Sequence, residues 1–184
     1  MKLSPKQMAV SGLLGGLTVV LGLTGLGFIP VPTAAGRATI MHIPVVLAAI
    51  LEGPLTGALV GLIFGLFSFL QAASPMTADP LVAILPRLLI GPVAWLVFRG
   101  TMRGRLQPAA PSLAAAAGTL VNTMGVLGLA VLRGYLPDIR AALVIAATHG
   151  IPEVLVAMIL AGALFRALKS RKEEEEHDSA DRHR

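Results

Sequence analysis

The sequence predicts an all-α fold, an integral membrane bundle of six transmembrane helices with the N and C termini cytoplasmic. Three observations carry this. Apolar residues make up 55% of the 184 and charged residues only 14%, where a soluble domain carries roughly 25% charged. Apolar runs recur at lengths suited to a bilayer. Lys and Arg gather asymmetrically in short loops and at the ends. That placement, in short loops rather than on one basic face, argues against nucleic acid as the reason for the net charge of +5. There is no cysteine, so disulfides and thiolate metal sites are excluded.

The first span covers residues 8–28, closed by Gly25, Gly27, Pro30 and Pro32. Its basic start resembles a signal peptide, but the apolar run is too long and no small-residue cleavage site follows. The second, residues 40–51, is short for a crossing, which needs about 20 residues. It is either tilted, helped across by its neighbours, or half of a re-entrant hairpin with the third. Glu52-Gly53-Pro54 predicts a tight turn into the third span, 55–72. A polar loop with two prolines precedes the fourth, 81–98. The fifth covers 112–132 and the sixth 140–168. Residues 169–184 are a charge run without apolar period, expected as a disordered cytoplasmic tail.

Orientation follows from the cations. One side holds Lys2, Lys6, Arg99, Arg103, Arg105, Lys169, Arg171 and Lys172, the other Arg37, Arg133 and Arg140. The richer side is cytoplasmic. Trp95 and Tyr135 sit near span ends, as interfacial anchors do.

Small residues mark close packing. Gly57, Gly61 and Gly65 with Ser68 make a smooth groove on the third span, read as an internal helix contact. Gly118, Thr119, Asn122 and Gly125 share a face of the fifth. In the first, Ser11 with Gly15 and Gly12 with Gly16 form two small-xxx-small pairs, suited to packing within the chain or to a partner subunit.

Ionisable groups inside spans cost about 2.5–3.5 kcal/mol each on insertion scales and mark function. His42, Arg87, His149 and Glu153 are such groups, with Asn122 as a strong hydrogen-bonder. All fall in the outer half or near the midplane at 1.5 Å per residue. His149 and Glu153 share a face at i,i+4, and Pro152 between them frees the Thr148 carbonyl. The cluster predicts a polar pocket entered from outside, with residues 29–39 placed to cover it. An internal Arg87–Glu153 ion pair and a proton relay through His42, His149 and Glu153 are the other readings. No G-x-x-x-x-G-K-[ST] loop or H-E-x-x-H is present. The chain is therefore read as no enzyme, with no cofactor or metal of its own.

His42-Ile43-Pro44-Val45, Glu52-Gly53-Pro54, Gly57 to Ser68, Pro86-Arg87-Leu88-Leu89-Ile90-Gly91, Val121-Asn122-Thr123 and Gly150-Ile151-Pro152-Glu153 carry a resemblance in their order and spacing. Over residues 8–168 the chain resembles the substrate-binding (S) components of energy-coupling factor (ECF) transporters. The resemblance implies a six-helix bacterial plasma-membrane subunit that binds a vitamin in its outer half. It implies a membrane coupling subunit and two cytoplasmic ATPases as partners, ATP being used by those subunits, and a component that topples to release substrate inward. The family's pair of alanines four apart, which contacts the coupling subunit, is matched here by Ser11 and Gly15. The stretches around His42 and Asn122 look most like the branch of pantothenate and riboflavin S components.

Arg87 suits a carboxylate, and Asn122 and Glu153 suit hydroxyl or amide protons, so pantothenate is favoured and riboflavin is next. Riboflavin would call for aromatic stacking, for which Phe64, Phe67 and Phe69 are the candidates, at least one of them lining the pocket. The alternative from a different class is a stand-alone proton-coupled secondary transporter.

Overall fold

The computed structural model describes residues 3–30 and 37–182. Helix α1 (Pro5–Thr24) starts at Ser4, whose hydroxyl accepts from the Gln7 amide while the Gln7 side chain accepts from the Ser4 N–H. This capping box sets the start three residues before the expected one, and Gly25 closes the helix in the left-handed conformation. Strands β1 (Phe28–Pro30) and β2 (Arg37–Thr39) then pair antiparallel, Ile29 facing Ala38. A loop was expected over this stretch, because two three-residue strands beside prolines leave no alternating pattern to read. The connecting residues 31–36, part of the segment expected over the pocket, lie outside the described residues.

Helix α2 (Ile43–Glu52) has ten residues. At 1.5 Å each it is about 15 Å long, half a hydrocarbon core. It tolerates this by being enclosed, since every residue from Ile43 to Ile50 is buried. Glu52-Gly53-Pro54 makes the expected tight turn, with Gly53 at φ 103°, where a side chain would be strained. Helix α3 (Pro54–Gln71) returns, followed by α4 (Pro80–Thr101) and α5 (Ala110–Leu132). The sixth segment is one rod in three parts: α6 (Ile139–Ile145), a π turn (Ala146–Gly150) and α7 (Ile151–Arg182). The wide turn falls just before Pro152, which has no N–H for the helical ladder.

Among the described residues, α1, α3, α4, α5 and the composite sixth segment are long and apolar enough to cross a membrane. The six expected spans thus resolve into five of crossing length and the short, enclosed α2. Helical backbone continues to Arg182, through the stretch expected to be a disordered tail from Lys169. That stretch is rich in Lys, Arg and Glu, all strong helix formers, which an argument from absent apolar period ignores.

The glycine stripe of α3 packs within the chain. A Cβ on Gly57 would lie 2.9 Å from the Gly91 Cα, one on Gly65 2.8 Å from the Ile84 Cα, and one on Gly61 would strike the Arg87 carbonyl. Helices α3 and α4 therefore meet backbone to backbone. Outward, Leu13, Val20, Leu70, Leu96 and Ile159 are exposed, a belt that suits lipid rather than water.

Two polar ties hold opposite ends of the bundle. At the start of α1, Lys6 pairs with Glu52 at 2.5 Å, and the Gln7 side-chain amide donates to the Glu52 carbonyl at 3.0 Å. At the hairpin end, Asp79 caps α4 by accepting from the Leu81 N–H at 2.9 Å. It also accepts from Arg133 Nε at 2.6 Å and from the Tyr135 hydroxyl at 3.2 Å. Tyr135, expected as an interfacial anchor, thus serves this tie as well. The Arg133 guanidinium holds the Asp79 carboxyl below its ordinary 3.8.

Candidate polar pocket between α4, α5 and the sixth segment

Pro86 cannot donate to the carbonyl four residues before it, so the Val82 oxygen loses its helical partner. Arg87 supplies one: its Nη1 donates to that oxygen at 2.8 Å. The guanidinium is thereby drawn back along α4, 5.6 Å over the Phe64 ring, while its buried Nε has no partner. Across from it, the Pro86 ring seats on α5 at Gly125, where a Cβ would lie 2.8 Å from the proline Cβ. This contact brings α4 and α5 together just where Asn122 and Thr123 stand. The Asn122 Oδ1 and Thr123 Oγ1 are also buried without partners.

The third wall is the sixth segment. Gly150, in the π turn, admits the Thr123 methyl, which would be 3.2 Å from a Cβ. His149 precedes it, and Glu153 follows in the first turn of α7. Glu153 Oε1 accepts from the Thr39 N–H at 3.1 Å, so the end of β2 closes one side. Thr39, Arg87, Asn122, Thr123, His149 and Glu153 line a cavity of about 180 Å³, with Val126, Leu127 and Ile145 as its apolar part. It lies toward the hairpin end of the bundle. The volume is below the roughly 300–1,000 Å³ of drug-sized ligand sites, which suits a small polar molecule.

Of the five residues singled out from sequence, four converge here: Arg87, Asn122, His149 and Glu153. His42 does not line the cavity. It is fully buried at the start of α2, with Nε2 2.8 Å from the Thr119 hydroxyl of α5. That hydroxyl already donates to the Ala115 carbonyl. It must therefore accept from Nε2–H, leaving Nδ1 an acceptor without a partner. Arg87 and Glu153 share the cavity without forming a direct ion pair, so the locking pair considered from sequence is not formed.

Phe64 supports Arg87 from behind, but neither it nor Phe67 nor Phe69 is in the lining, contrary to expectation. Their spacing in α3 showed only that they share a helix. Sequence reasoning missed Thr123, whose short hydroxyl looks like any helical threonine; Thr39, which contributes through its backbone, ends the segment 29–39 expected to cover the pocket. Among the described residues no cluster of three His, Cys, Asp or Glu is placed to hold a metal.

The first-span pairs separate. Ser11 and Gly15 are buried, and a Cβ on Gly15 would fall 2.5 Å from Ile63 Cδ1 of α3. Gly12 and Gly16 are exposed with nothing near them. The 100° step per residue puts the two pairs on different faces, so in this structure Ser11 and Gly15 are not offered to a partner.

A helical membrane protein with a small polar-lined pocket toward one end is the class that the fold and the site define. The family model described as "ECF transporter, substrate-specific component" matches residues 6–168, and the chain belongs to that family. It is thus a multi-pass membrane component of a transporter rather than an enzyme. It is 30% identical to the pantothenic acid transporter PanT of Lactococcus lactis subsp. cremoris, over 72% of this chain and 78% of that one. It is also 30% identical to the pantothenate transporter PanT of Leuconostoc mesenteroides subsp. mesenteroides, over 58% of each. Its fold is similar to the chain solved in "Structure and mechanism of the S component of a bacterial ECF transporter", with a TM-score of 0.64 at 20% identity, over 90% of this chain and 96% of that one.

Proposed function

We propose that this chain binds pantothenate from the outer face of a bacterial plasma membrane and passes it inward with an ATP-driven coupling module. The observation that carries the reading is that three of the four buried side-chain polar atoms without partners among the described residues, all but His42 Nδ1, fall on one cavity's residues. Arg87 Nε, Asn122 Oδ1 and Thr123 Oγ1 all belong to residues lining one cavity. Each such atom costs about 1–3 kcal/mol when left unpaired, and a polar ligand relieves the cost. A guanidinium with an unused N–H suits a carboxylate. The Asn122 oxygen and the Glu153 carboxylate suit hydroxyl and amide protons, and the Thr123 hydroxyl suits either role. Pantothenate offers one carboxylate, two hydroxyls and an amide. The names of the two PanT relatives favour the same ligand, and a lining that among the described residues holds no Phe, Tyr or Trp disfavours riboflavin.

In this reading all six segments cross, α2 within the protein, and both termini are cytoplasmic. The excess of Lys and Arg on the side of Lys6 over Arg37, Arg133 and Arg140 on the other favours that orientation, which turns the cavity mouth outward. ATP is used by partner ATPases, and the chain carries no cofactor. The coupling subunit meets α1 on the exposed Gly12–Gly16 face, since Ser11 and Gly15 are buried within the chain. A relay through His42 is disfavoured by its position apart from His149 and Glu153.

The test is calorimetric titration of the purified chain with pantothenate and with riboflavin. Tight 1:1 binding of pantothenate alone is expected. Binding of riboflavin in its place, or of neither, would overturn the assignment.

A further inference from the structure

At the end of the bundle opposite the polar pocket, α4, α5 and α7 leave a second concavity of about 400 Å³. Met102, Pro111 and Phe165 form its apolar walls, and Gln107, Arg166 and Lys169 its polar ones. The apolar side is fixed, because Phe165 packs edge-on against Phe98 with centroids 5.5 Å apart. Its depth follows from α4. Trp95, with the Arg99 guanidinium 5.0 Å over its ring, is a residue type that anchors at the headgroup level. Met102 lies two turns further out. The concavity therefore opens at the polar edge of the bilayer. The positive end of the α5 dipole and the nearby Arg103 and Arg105 add to its field.

The geometry points to a binding site for an anionic phospholipid, with its phosphate at Arg166 and Lys169 and its acyl chains along Met102, Pro111 and Phe165. Lys169 also interacts within its own chain, so Arg166 and the Gln107 amide carry the larger share of headgroup recognition. A soluble phosphate would use the cations and leave the apolar walls idle, whereas a lipid uses both. Basic pockets between membrane helices at this level suit acidic headgroups on charge and shape alike. The site is independent of the pantothenate cavity and rests only on the chain crossing the membrane.

The test is native mass spectrometry of the full chain released from nanodiscs of equal parts phosphatidylglycerol and phosphatidylcholine. Wild type should retain phosphatidylglycerol roughly tenfold over phosphatidylcholine. Arg166→Gln with Lys169→Gln should bring that ratio near unity, with helical content by circular dichroism and pantothenate affinity unchanged. Arg103→Gln with Arg105→Gln removes two cations outside the lining and should keep most of the preference. Equal retention by wild type overturns the site, as does a preference that survives in the Arg166/Lys169 variant or falls equally in the Arg103/Arg105 variant. Displacement of the lipid by millimolar inorganic phosphate would assign the concavity to a free anion instead. A wild type without lipid preference whose capture of the purified coupling subunit is lost in the Arg166/Lys169 variant would assign it to an acidic protein segment.

Discussion

Helix α4 has two faces, and they are built by opposite rules. Toward α3 it offers backbone to backbone, with Gly57 against Gly91, Gly61 against the Arg87 carbonyl and Gly65 against Ile84. Toward α5 and the sixth segment it offers Arg87, whose Nε is unpaired, across a cavity from an unpaired Asn122 and Thr123. Close packing without orphaned atoms is what stability alone produces. Buried polar atoms left waiting on one cavity are a cost that packing does not explain, and that a ligand does. The first face holds the second in place, because Gly61 fixes the position of the Arg87 backbone.

The largest effect should come from breaking the packed face. Gly61→Leu forces a side chain into the Arg87 carbonyl, and backbone cannot step aside as a side chain can. A loss of roughly 3 kcal/mol or more is expected, visible as a lower thermal midpoint and loss of monodispersity in detergent. Wild-type behaviour would mean that the two helices are further apart than described. On the open face, Arg87→Ala should weaken pantothenate binding by roughly a hundredfold while helical content stays the same. Arg87→Lys should fall between, since a lysine keeps the charge but not the fork of donors. Titration calorimetry reads both.

A smaller effect separates the two faces of α1. Gly16→Leu points into open space, so it should leave pantothenate affinity and thermal stability unchanged and reduce copurification with the coupling subunit several-fold. Undiminished copurification would remove that face from the interface. The smallest effect concerns the tie above the cavity. The Asp79 carboxyl is held below its ordinary 3.8, first by the Arg133 hydrogen bond. A depressed carboxyl adds stability that is fully present above about pH 4 and is lost as pH falls through the folded value. The melting temperatures of wild type and Asp79→Asn should therefore differ at neutral pH and converge under acid. Parallel curves from pH 7 to pH 3 would show that the tie adds nothing.

Much of this was legible in the sequence, for identifiable reasons. Bilayer thickness sets span length, and loop cations mark sides, so the helix order and the Gly53 turn follow from composition and spacing. Four of the five polar candidates meet because an ionisable group at membrane depth has few places to go. His42 breaks the rule because a buried imidazole can be held by one threonine, and depth alone does not distinguish Thr119 from a ligand. The division of Ser11 and Gly15 from Gly12 and Gly16 needed a three-dimensional neighbour, as both pairs have the same spacing. The phenylalanines failed for the same reason. The hairpin left no pattern to read, and the continuation of α7 was hidden by charge.

In the proposed function the unpaired atoms around Arg87 take up one small carboxylate ligand. Mass spectrometry of small molecules released by denaturing the freshly purified chain, beside the Arg87→Ala variant, tests it most directly. Pantothenate should be released by wild type in near-equimolar amount and be missing from the variant. A different molecule in the wild-type sample, or pantothenate retained equally by both, would contradict the account.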